Sequence, residues 1–155
     1  MFAPASIDLR GGFVISASLD TAFELFSPEG ERLWVPGWNP ELLHPAGVAW
    51  ARGLIFRTQE ELGEAVWVVT GLDRERHEVE YCRVEPRRYV ARVRVHCRAL
   101  GAAQTEAGVG YTFVGLSEPG NREIATMSET AFDEKMKRWE KWIGAYLAEA
   151  GPIDR

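Results

Sequence analysis

Residues 132–146 read FDEKMKRWEKWIGAY. In this stretch Phe132, Met136, Trp139, Ile143 and Tyr146 recur at steps of four, three, four and three, the spacing of one helical face. Asp133, Glu134, Lys135, Lys137, Arg138, Glu140 and Lys141 fill much of the rest. The pattern predicts a long helix from about Ser117 to Ala150, starting near Pro119 with Ser117 as its cap. A helix this apolar on one side, arriving after all the strands, needs a sheet to lie on. Its bulky side chains would leave a pocket wherever a curved sheet wraps around it.

Reading back from that helix, the chain alternates. From Arg88 to Leu100, Tyr89, Ala91, Val93, Val95, Cys97 and Ala99 interleave with Val90, Arg92, Arg94, His96 and Arg98: one buried face and one basic, solvated face. Gln104–Leu116 repeats the period, and Gly108, Gly110 and Gly115 would let that strand bend. Earlier strands are expected over Leu54–Thr58, Glu64–Gly71 and His77–Glu85, the last closed by Pro86. Short turns between neighbours imply an antiparallel meander rather than parallel crossovers. At the front, Gly12–Ser18 reads as a first strand and Asp20 as the cap of a short helix bearing Phe23, Leu25 and Phe26. A second short helix or turn, Glu29–Leu33, leads into the rigid Trp34–Pro40 segment.

The 155 residues fit one domain, 1–155, large enough to build a core without staples. A net charge of −5 disfavours nucleic acid as a partner. Cys82 and Cys97 form no CxxC pair and are expected as free thiols. With no charged leader before an apolar run and no span-length apolar stretch, the expected location is cytoplasmic, without membrane insertion. His44, His77 and His96 are not spaced as metal ligands, and no phosphate loop or nucleophile elbow is present. No metal or cofactor is therefore expected.

The order of elements resembles the START-like, or SRPBCC, superfamily, the helix-grip fold of the birch pollen allergen and the bacterial polyketide cyclase/dehydrase families. The residues that carry the likeness span most of the chain. They are LDTAFELFSPEGERLWVPGW (19–38), with Asp20, Ala22, Phe23, Leu25, Phe26 and Trp34; HEVEYCRVEP (77–86); TFVGLSEPGN (112–121); and MKRWEKWIGAYL (136–147). The resemblance implies an α+β fold in which about seven antiparallel strands wrap around the C-terminal helix, with a cavity between them. It also implies a hydrophobic ligand such as a lipid or polyketide, with cyclisation or dehydration in a minority of members. Fold alone does not choose among these.

Candidate ligand contacts are the large side chains expected to face that cavity. Trp34 and Trp38 come from the rigid segment, and Phe56 and Trp67 from the early strands. Val93 and Phe113 come from the later strands, and Phe132, Met136 and Trp139 from the helix. Tyr81, Tyr89, Tyr111 and Tyr146 combine a ring with a hydroxyl that orients a polar group, or else fill the core. Arg83 shares a face with Val79 and Tyr81, where it would receive a carboxylate or enolate; a shifted register would turn it to solvent. Glu60, Glu61 and Glu64 read as a solvated cluster, and Arg92, Arg94 and Arg98 as partners of Glu78 and Glu80 on the next strand.

Three functions follow. One is a module binding a small hydrophobic molecule. The second is a cyclase/dehydrase-type enzyme using cavity Tyr, Arg or His. The third is an interaction protein, homodimeric or otherwise, docking through an exposed Trp34–Trp38 segment.

Overall fold

The computed structural model describes residues 1–150. Seven strands form one antiparallel sheet: β1 (Ser6–Ile15), β2 (Glu41–His44), β3 (Ile55–Glu60), β4 (Gly63–Asp73), β5 (Glu78–Glu85), β6 (Tyr89–Gly101) and β7 (Gln104–Gly115). Their spatial order is β1-β7-β6-β5-β4-β3-β2, so the first strand closes onto the last and the rest form a meander. Helices α1 (Leu19–Glu24) and α2 (Pro28–Glu31) follow β1, and α3 (Glu118–Ala125) and α4 (Glu129–Ala150) end the chain.

Alternation sets the faces. Tyr89, Ala91, Val93, Val95 and Cys97 of β6 are buried, as are Thr105, Ala107, Val109, Tyr111 and Phe113 of β7. Phe132, Met136 and Ile143 of α4 lie against this concave face, and α4 comes closest to the sheet along β1. Gly11 makes that approach feasible: a Cβ there would stand 3.0 Å from Met136 Cγ and 3.3 Å from the Phe132 ring. The helix also reaches the strand's free edge, where the Val14 amide donates to Glu140 Oε2 at 3.2 Å.

Three expectations about elements need correction, and one strand is additional. The long C-terminal helix is two helices, because the chain leaves α3 at Thr126, whose hydroxyl bonds back to the Glu123 carbonyl (2.6 Å). Ser128 then starts α4 by accepting from the Ala131 amide (3.1 Å). The first strand runs from Ser6, since Gly11 and Gly12 pair in register with Val109 and Gly108 instead of breaking it. The cap of α1 is Ser18, which accepts from the Thr21 amide, and not Asp20. Finally, β2 emerges from the stretch after Pro40, pairing Glu41 with Arg57.

Other expectations hold. Ser117 caps α3. His96 is exposed on the outer face, and both cysteines are free, with Cys97 buried and Cys82 half-buried. Gly115 answers a close approach by Asn121, whose Oδ1 would lie 2.0 Å from an added Cβ. The outer-face arginines do not pair as expected. Arg98 bonds Glu106 of β7 (2.7 Å) and Arg94 donates to Thr112 (3.3 Å), although Arg94 stands opposite Glu80 in register. Among the described residues no helix is long and apolar enough to cross a membrane.

Candidate functional site

The basin between the concave face of β3–β7, α2 and α4 holds packed aromatic side chains with charged groups among them. On one side Trp67 stacks on Phe56 (5.5 Å, 10°), and Trp38 meets both rings edge-on. Tyr81 sits against the same pair. On the other side Tyr111 stacks on Phe113 (5.5 Å, 19°), Tyr89 meets Phe113 edge-on, and Phe132 and Trp139 of α4 close on Tyr111. Trp34 meets Trp139 at 5.6 Å. Val93 and Met136 are buried in the core between these groups.

Arg83 resolves the register question. It points inward with Val79, Tyr81 and Glu85, and its side chain is 13% exposed. Its guanidinium lies between two rings, 5.3 Å from that of Trp67 and 5.5 Å from that of Tyr89. Its polar contacts are long: Nε stands 3.4 Å from Glu85 Oε2, and Nη2 donates to the Tyr89 hydroxyl at 3.4 Å. The buried Nε has no hydrogen-bond partner among the described residues.

The neighbouring Arg88 is the opposite case. It bonds Glu85, and it grips both carboxylate oxygens of Glu123, through Nε at 2.8 Å and through Nη2. Those bonds raise Arg88 above its usual range and hold Glu123 below its own. Arg88 thus ties α3 to the β5–β6 turn, while Arg83 keeps donor capacity to spare.

Sequence reasoning missed three members of the basin. Lys135, taken as part of the solvated helix face, turns inward: Nζ lies 4.4 Å from the Tyr111 ring centre and 5.5 Å from that of Trp139. Burial pushes its ammonium down to about 8, helped by Arg83 and Arg138 and opposed by Glu31 and Glu60. Glu31, at the end of α2, keeps some solvent contact, yet burial pushes its carboxyl up to about 8, with Lys135 pulling the other way. Glu60 is half-buried rather than solvated. Burial raises it, and the Arg83 charge is the main opposing influence. A signal for Lys135 existed in the sequence, since it lies three residues after Phe132 and four before Trp139, on the same stripe.

Other candidates have structural duties. The Tyr81 hydroxyl donates to the Phe26 carbonyl (2.6 Å) and accepts from Trp50 Nε1 (2.9 Å). Trp34 is buried, bonding the Leu25 carbonyl, and the half-buried Trp38 bonds that of Pro28. The exposed tryptophan docking surface therefore does not exist. Tyr146 is half-buried, farther along α4. His77 faces Asp20 (2.8 Å) and the edge of Phe23, six residues or ~20 Å up β5 from Arg83. His44 and His96 are exposed, so no histidine belongs to the basin. A separate open hollow of about 610 Å³ lies on the back of the sheet over Gly71, Gly108 and Gly110.

No protein-family model matches the sequence, and no curated protein matches it. Solved structures do match by shape. A norcoclaurine synthase point mutant from Thalictrum flavum superposes with a TM-score of 0.66 at 14% identity, over 97% of this chain and 99% of that one. Major latex-like protein 151 from Panax ginseng gives 0.67 at 16% identity, over 91% and 97%. The ZhuI aromatase/cyclase from Streptomyces sp. R1128 gives 0.64 at 17%, over 97% of each. These superpositions show that the chain shares its fold with those proteins. By fold this chain is a helix-grip protein: seven antiparallel strands around a long terminal helix, with two short helices after β1.

Proposed function

We propose that this protein binds a small, largely apolar or aromatic molecule carrying an anionic group, held between the sheet and α4. A polyketide enolate or a lipid carboxylate belongs to that class. The observation that carries the reading is Arg83: an inward guanidinium between two aromatic faces, whose Nε is ion-paired with Glu85 at 3.4 Å but makes no hydrogen bond. A cation placed this way favours a planar anion, because a carboxylate completes its hydrogen bonds in a weakly polar setting. Trp38, Phe56, Trp67, Tyr89, Tyr111 and Trp139 supply the apolar contact such a ligand needs. The three named structural neighbours include two enzymes, one an aromatase/cyclase, and agree with a fold that hosts apolar molecules.

The test is calorimetric titration of 2-naphthoate and of neutral 2-naphthamide into wild-type protein and R83Q. The expected result is a preference for the carboxylate that falls at least tenfold in R83Q, with naphthamide affinity little changed. Equal affinities for the two probes in wild-type protein would refute the role of Arg83. Absence of binding by either would refute the basin as a ligand site.

A further inference from the structure

We propose that Lys135 is a carbonyl-capturing amine: it condenses reversibly with an aromatic aldehyde or ketone in the basin, forming an imine. This rests on the basin being a ligand site, and it adds the substrate class and the reacting atom. The chain has only three lysines, all on α4; Lys137 and Lys141 are exposed, whereas Lys135 turns inward. Its Nζ is held by the faces of Tyr111 and Trp139 rather than by a carboxylate within 4.0 Å, among the described residues. An aromatic carbonyl compound stacked on those rings would present its carbon to the amine.

The surroundings favour the uncharged amine. Burial lowers the ammonium's stability, although the Tyr111 and Trp139 ring faces attract it, and Arg83 of β5 and Arg138 of α4 oppose a further positive charge. Glu31 of α2 and Glu60 of β3 oppose them with negative charge when ionised. With its pKa lowered to about 8, Lys135 has a neutral fraction of roughly a tenth at pH 7, far above that of an exposed lysine.

The chemistry balances without a further reagent. The amine lone pair attacks the carbonyl carbon, a C–N bond forms, and a proton passes from nitrogen to oxygen, giving a carbinolamine. Loss of the hydroxyl as water needs an acid. Solvent supplies that proton, which leaves with the hydroxyl as the C–O bond breaks, and an iminium remains. Water reverses the sequence.

The test is reductive trapping with 2-naphthaldehyde and sodium cyanoborohydride, followed by peptide mapping of wild-type protein and K135R. At pH 7 the adduct should form on Lys135 at least tenfold faster than on Lys137 or Lys141, and the Lys135 rate should level off above pH 8. K135R should lose the fast adduct while keeping its melting temperature. Labelling of Lys137 or Lys141 as fast as Lys135 would overturn the proposal. Naphthoate binding without a Lys135 adduct would overturn the imine alone, whereas loss of naphthoate binding in wild-type protein would sink the ligand site itself.

Discussion

Glu31 shows what a single buried acid costs. Its carboxyl titrates near 8 in the folded chain and near 4.5 when free, so between those values the folded state holds the proton more tightly. Stability therefore falls as pH rises through that window. Lys135 acts on the far side: lowered to about 8 from 10.5, it makes the unfolded chain the tighter proton binder above pH 8, so stability recovers as pH climbs. E31Q removes the first effect. At pH 8 it should melt about 3–6 °C above wild type, equivalent to about 1–2 kcal/mol after allowing for the solvent that Glu31 still meets. At pH 5 the two proteins should melt together. Scanning calorimetry at both pH values checks this, and an equal gap at each would show that the effect is not titration.

Much of the element layout was legible from periodicity. The strict alternation of β6 and β7 gave their faces and nearly their ends, and the Phe132-to-Tyr146 stripe gave α4. What was lost was set by contacts between distant segments. The local pattern starts the first strand at Gly12, yet β7 pairs with Gly11 and the five residues before it, and α4 needs Gly11 bare. Lys135 was read by charge as solvated, although its stripe position and the rings above β7 draw it inward. Arg83 was legible as inward or outward only, because register across β4 and β6 decides. The α4–β1 contact supplies a graded test. G11A should cost about 1 kcal/mol in urea unfolding, because an added Cβ meets Met136 Cγ at 3.0 Å and the Phe132 ring at 3.3 Å, which outweighs the gain of alanine over glycine in a strand. G11V should cost about 1–3 kcal/mol in urea unfolding, since branched methyls also meet the Phe132 ring. Equal losses for both would mean that α4 does not seat on this glycine.

Across the whole molecule, an unclosed sheet has two rims, and they are treated differently. The rim at β2 is only four residues long. The rim at β1 is ten residues long and carries the half-exposed Val14, a length at which a bare edge invites another chain to pair. The bond from Val14 to the Glu140 carboxylate takes up one donor of that rim, and α4 lies alongside it. The terminal helix is thus more than a roof over the basin; it also acts as a guard against polymer growth. E140A should leave the melting temperature within about 1 °C, as expected for one exposed contact. It should nonetheless raise the rate of light-scattering aggregation on prolonged incubation at high protein concentration. Loss of the guard, rather than loss of fold, would then be how damage to the last helix first shows itself: fibres seeded from a protein that is still folded.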